Sequence, residues 1–198
     1  MEILLQNLYQ CKIPFHKQSD VDRLLTTVDE DKNPVFRIIA WILSFNIINF
    51  NEIEKSMVSL VELYKNICGE KLSNFNDPRS SLPKDEGELI RLDTERTIFW
   101  FKQMASNNGI DDEEILENSI YQVQRILSTL SKTDSFYRYM QGYDRYVFIT
   151  FLLGLQAMKK LETETIFAES MSYFLCREFL KIVDVNRFTQ NNKFTVEH

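Results

Sequence analysis

Residues 112–130 read DEEILENSIYQVQRILSTL. Ile115, Ile120, Val123, Ile126, Leu127 and Leu130 recur at steps that place them along one side of an α-helix. A half-buried strand would need strict alternation of apolar and polar residues, which is absent here. Asp111 is placed to cap the free N–H groups of the first turn. The pairs Asp111–Asp112 and Glu113–Glu114 complement the positive end of the helix dipole, which makes them a solvated helix start rather than paired acid–base catalysts.

The same helical spacing extends in both directions. Toward the N-terminus, EIEKSMVSLVELYKNIC carries Ile53, Met57, Leu60, Val61 and Tyr64 as a stripe, started by Asn51 and ended by Gly69. PVFRIIAWILSF follows Asn33 as a cap, with Pro34 in the first turn. Two shorter helices are expected at 2–11 and from SDVDRLLTTV. Toward the C-terminus, the sequence predicts a buried helix over 144–160 and an apolar helix near 164–183. Residues 70–89, polar and interrupted by Pro and Gly, predict a long loop. IRLDTERT (90–97) follows, and IFWF (98–101) reads as its anchor in the core.

Only five Gly and four Pro in 198 residues leave few breakers, and 44% hydrophobic residues with 15 Phe and eight Tyr supply a substantial core. No strand pattern or repeat is present. The expected fold is therefore all-α, a single domain of roughly seven or eight helices. It divides into N-terminal helices over 1–34, a helical body over 35–183, and a polar tail over 184–198 expected to fray.

The net charge of −6 shows no basic stripe, so a nucleic-acid partner is not expected. Cys11, Cys68 and Cys176 are odd in number and far apart, as reduced thiols in a cytoplasmic protein are. His16 and His198 are the only histidines, which leaves neither a Cys–His catalyst nor a histidine metal site. The most apolar run, YVFITFLLGLQAM (146–158), falls short of the about 20 apolar residues that span a bilayer. No transmembrane segment is expected. The five glycines lie too far apart for G-x-G-x-x-G or G-x-x-x-x-G-K, so no phosphate-cradling loop is present and no cofactor of the chain's own is expected. By itself, the chain is expected not to bind nucleotide.

Two stretches carry more than packing. Ile90-x-x-Asp93-x-x-Arg96-Thr97 and Tyr139-x-Gln141-Gly142 occur in that order, with Gln141 45 residues after Arg96. They resemble the I-x-x-D-x-x-R and Y-x-Q-G motifs of TBC-domain Rab GTPase-activating proteins. Arg37 and Trp41 match the family's early R-x-x-x-W spacing, and ETETIFAESM resembles its acidic-then-Phe segment. The resemblance spans about 35 to 180. The chain departs from the family at Arg138, where Gly is usual, and at Tyr143, where Met is usual, which predicts a bulkier loop around Gln141. It also ends where the family's domain continues with a second helical portion, so it resembles the N-terminal portion of a TBC domain.

The resemblance implies a function. Arg96 would be an arginine finger and Gln141 a glutamine finger, both inserted in trans into a GTP-bound Rab-family small GTPase that carries the GTP and Mg²⁺. Phosphoryl transfer develops charge that a permanently protonated guanidinium can meet with two N–H donors. A neutral carboxamide can accept from the attacking water and donate to the γ-phosphate, which an Asp or Lys cannot do without adding charge. Asp93 would support the finger, Thr97 the turn, Tyr139 and Gly142 the Gln141 loop, and Arg37 and Trp41 the scaffold. The expected place is the cytoplasm, peripheral on endomembranes through the partner alone. The rival reading is a non-catalytic Rab-binding or scaffold helical domain; a third is a helical interaction module in which the motifs coincide by chance.

Overall fold

The computed structural model describes residues 34–45, 47, 53–69, 83–133 and 138–194. The helices expected at 2–11 and 19–28 lie outside them. So do residues 70–82 of the expected loop and the last residues of the tail.

Among the described residues the fold is all-α. The helices are α1 (Pro34–Ser44), α2 (Ile53–Cys68), α3 (Lys84–Asn107), α4 (Glu113–Thr133), α5 (Tyr143–Leu161) and α6 (Thr165–Phe194). No helix among these residues is long and apolar enough to cross a membrane.

Local chemistry explains most of the boundaries. Gly69 ends α2 with φ +53°, a left-handed conformation that costs glycine little. Asp112, rather than Asp111, caps α4: its Oδ1 accepts the Ile115 N–H at 3.0 Å. Asp111 is taken by the Ser106 hydroxyl at 2.6 Å. α3 starts at Lys84, inside the stretch expected to be loop, with Asp85 and Glu86 in its first turn and Gly87 buried. Acidic residues at a helix start favour the helix through its dipole, and here that outweighs the cost of one glycine. α6 runs on to Phe194, beyond residue 183, where the helix was expected to end and the polar tail over 184–198 to follow.

α5 and α6 form the centre. They pack most extensively against each other, while α1 lies on α5, α2 on α6, and α3 on α4. Gly154 makes the α5–α6 approach possible, because a Cβ there would stand 2.8 Å from the Ala168 Cα. On α2, Met57, Leu60, Tyr64 and Cys68 are buried at helical spacing. α4 is more deeply enclosed than its apolar stripe implies. Every residue from Gln122 to Leu130 is buried, including Gln124, Arg125, Ser128 and Thr129.

The IFWF stretch does not enter the core as a unit. Phe101 is fully buried, with its ring 4.8 Å from that of Phe148, and Ile98 is partly buried. Phe99 is 80% exposed and Trp100 42% exposed. Four consecutive helical residues turn through most of a circle, so only those three apart share a face. Burial of Phe101 contributes on the order of 1.5–3 kcal/mol, and Phe99 contributes almost none of that term.

Candidate functional site

Asp93 is the first residue to place, because its side chain is nearly enclosed and both of its oxygens have partners. Its Oδ2 accepts the Tyr139 hydroxyl at 3.0 Å, and its Oδ1 faces an Arg96 guanidinium nitrogen at 3.4 Å. Asp93 and Arg96 are three apart on α3, the spacing that brings side chains together on a helix. The Arg96 side chain is 66% exposed against 5% for Asp93, so the carboxylate anchors one side of a guanidinium that otherwise faces solvent.

Arg91 differs in this respect. It sits between Glu88 and Glu95, one turn to either side, at 2.6 Å from each. These two carboxylates raise its pKa above the ordinary arginine value, the Glu88 hydrogen bond most. The alternating charges of IRLDTERT thus separate into a surface ladder, Glu88–Arg91–Glu95, and the Asp93–Arg96 pair. Arg96 is the more open of the two arginines.

The second motif is joined to the first from below. Tyr139 is buried, and its hydroxyl also lies 3.4 Å from Asp144 Oδ1. Asp144 Oδ2 accepts the hydroxyl of Thr97, the residue after Arg96. Asp93, Thr97, Tyr139 and Asp144 therefore form one buried polar cluster between α3 and the start of α5. Burial first, then the negative charges of Asp144 and Asp93, push the Tyr139 phenol well above its ordinary pKa. It remains a neutral donor, as the two carboxylates require.

The backbone of the second motif is held as well. Glu86 Oε1 accepts the Tyr139 N–H at 3.1 Å and the Ser131 hydroxyl at 2.8 Å, which ties α3, α4 and the segment before α5. The Tyr143 N–H donates to the Met140 carbonyl at 3.1 Å and closes a turn around Gln141. Gly142 stands at φ +95°, where a residue with a Cβ is strained even though nothing crowds the space beside it. Gln141 is exposed on this turn.

The two departures from the family pattern are accommodated. Tyr143 is fully buried, with its ring edge-on to Tyr139 at 6.2 Å, so its bulk enters the core and does not enlarge the Gln141 loop. Arg138 is exposed. Arg37 and Trp41 lie on α1; Arg37 is partly buried, and Trp41 is 42% exposed with its ring stacked on Phe45 at 5.8 Å.

The geometry thus presents two exposed groups, a guanidinium and a carboxamide, on segments locked together by a buried network. Sequence reasoning missed Glu86 and Asp144. The only sequence signal for Asp144 is an acidic residue at a helix start, which ordinarily means no more than a dipole effect, and Glu86 falls within the 70–89 stretch expected as loop.

Among the described residues no group of three or more His, Cys, Asp or Glu is arranged to hold a metal ion. Cys68 and Cys176 are buried and free of disulfides. An apolar depression of about 300 Å³ lies elsewhere, lined by Met57, Val58, Val61, Leu161, Ile166 and Phe167 among others. None of the motif residues lines it. No protein-family model matches the chain, and neither does any curated protein or solved structure.

Proposed function

We propose that this protein accelerates GTP hydrolysis by a Rab-type small GTPase, with Arg96 and Gln141 supplied in trans. The observation that carries the reading is the Tyr139–Asp93 hydrogen bond of 3.0 Å. It joins the helix turn bearing Arg96 to the turn bearing Gln141, while both of those side chains remain exposed. The partner would bring GTP and Mg²⁺. Arg96 would donate to the oxygens on which charge develops, and Gln141 would orient the water. Asp93 would hold the Arg96 side chain by one edge, reducing the freedom it must lose on insertion. Association with endomembranes would come through the partner.

The test is phosphate release under single turnover across a panel of Rab-type GTPases. Arg96→Lys keeps the charge and loses the planar fork, so stimulation should fall by on the order of 10³–10⁵. A GTPase whose own catalytic Gln is replaced by Leu should still be stimulated by the wild-type protein and not by Gln141→Ala. An active Arg96→Lys variant, or failure on the Gln-less GTPase alongside normal action on the native one, counts against this reading.

A further inference from the structure

We propose that Asp144 is a positioning residue that sets the spacing between Arg96 and Gln141, an inference that rests on the GTPase-activating reading for its catalytic consequence. Asp144 lies three residues after Gln141, and its partner Thr97 lies directly after Arg96. One carboxylate therefore touches both halves of the site. Its Oδ2 accepts from the Thr97 hydroxyl on α3, and its Oδ1 lies 3.4 Å from the Tyr139 hydroxyl on the Gln141 side.

The residue type suits this task. A carboxylate oxygen accepts, and here the Thr97 hydroxyl donates to one oxygen of Asp144, while the Tyr139 hydroxyl, whose single proton goes chiefly to Asp93, lies 3.4 Å from the other. An Asn would turn an amide N–H₂ toward one of them. Asp144 is 2% exposed and lies in the first turn of α5, so its charge is buried where the helix dipole favours an anion. Among the described residues its hydrogen bonds come from hydroxyls, whereas Asp93 also faces the Arg96 guanidinium. The two acids thus have different tasks. Asp93 holds the Arg96 side chain, and Asp144 holds the backbone segments that carry Arg96 and Gln141 at their mutual distance.

Two variants separate this from a general loss of packing. Thr97→Val preserves shape and removes one hydroxyl; Asp144→Ala removes the acceptor. The spacing is read directly by electron paramagnetic resonance between spin labels at Arg96→Cys and Gln141→Cys. Cys11 is replaced by Ser in that chain, and Cys68 and Cys176 are buried from the label. Both variants should broaden the distance distribution relative to the unaltered background. Should Asp144→Ala melt, Thr97→Val carries the comparison.

On the unlabelled protein, Thr97→Val should lower kcat for stimulated hydrolysis by on the order of 10- to 100-fold, with KM changed by less than about twofold. Asp144→Asn, which keeps one accepting oxygen, should recover part of the loss seen with Asp144→Ala. An unchanged distance distribution in both variants overturns the proposal, and so does a broadened one with kcat intact. If the wild-type protein stimulates no GTPase, the GTPase-activating role falls, and the spin-label comparison still decides whether Asp144 sets the spacing.

Discussion

Arg125 and Glu169 meet side-on in the interior, 44 positions apart in the chain, with Arg125 Nε donating to Glu169 Oε2 at 2.9 Å and Nη2 to Oε1. Their side chains are 3% and 2% exposed. The Tyr64 hydroxyl donates to the same Oε2 at 3.1 Å. One carboxylate therefore draws α2, α4 and α6 together. A buried pair of this kind offsets a desolvation cost comparable to its attraction, so its presence alone contributes little net stability.

Removing one partner has a different outcome. Arg125→Met leaves a buried carboxylate with a single phenol donor, and the expected loss is about 3–5 kcal/mol in urea denaturation. The double variant Arg125→Met/Glu169→Leu removes both charges and should recover most of that loss. A single-variant loss below about 1 kcal/mol would show that water reaches the pair.

Alkaline pH should unfold the protein through its buried thiols and phenols. Burial pushes Cys176 from its ordinary 9.0 up to about 12. Burial first, then the Glu169 charge, raises Tyr64. Groups whose folded pKa exceeds the unfolded value hold more protons when folded. Their contribution is complete below the unfolded pKa and is lost as pH rises. Stability should therefore fall from about pH 9 upward. Cys176→Ser should flatten that slope by about 1.4 kcal/mol per pH unit between the unfolded and folded values. Denaturation midpoints measured from pH 8 to pH 11 check it, and an unaltered slope in Cys176→Ser counts against burial as the cause.

Gly154 tests the close approach of α5 and α6. A Cβ there would meet the Ala168 Cα at 2.8 Å and its carbonyl oxygen at 2.9 Å. Both are backbone atoms, so the helices must move apart. Overpacking costs about 1–3 kcal/mol, whereas replacing a mid-helix glycine with alanine contributes about 1 kcal/mol. The net expectation for Gly154→Ala is a modest loss, and for Gly154→Leu a larger one. A gain in melting temperature for Gly154→Ala would show that the interface yields.

What could be read from the chain follows from the range of the forces involved. Met57, Leu60 and Tyr64 repeat at helical spacing, and their burial needs nothing beyond that period. Gln124 and Arg125 break the apolar pattern of α4, yet both are enclosed. Gln124 donates to Thr94 at 2.9 Å from 30 positions away, and Arg125 finds Glu169. No local pattern announces such partners. Glu86 is the same case: its Tyr139 contact spans 53 positions, and its own stretch, polar and interrupted by Pro and Gly, reads as loop. Asp93 and Tyr139 were visible only because a two-part motif linked them. Asp144 lies outside that motif and was legible only once α3 and α5 were placed side by side.

Phe99 and Trp100 supply the last prediction. They lie three and four positions after Arg96, so all three occupy one side of α3. Phe99 is 80% exposed, an unusual place for a residue of that size when its neighbour Phe101 is fully buried. Removing its ring should leave the fold nearly unchanged, within about 0.5 kcal/mol, because little of it is packed. If Arg96 enters a GTPase, the adjacent ring must be covered at the same moment, and exposed aromatics covered on docking are frequent anchors. Phe99→Ala should then raise KM for the GTPase about tenfold, equivalent to 1.4 kcal/mol, with kcat unchanged. The split between the two constants is informative, since Phe99 has no group that can act on the phosphate or the water. Trp100→Ala should act in the same direction. A lowered kcat with KM intact would place Phe99 in the support of Arg96 instead, and unchanged constants would mean that the partner approaches from another side of α3.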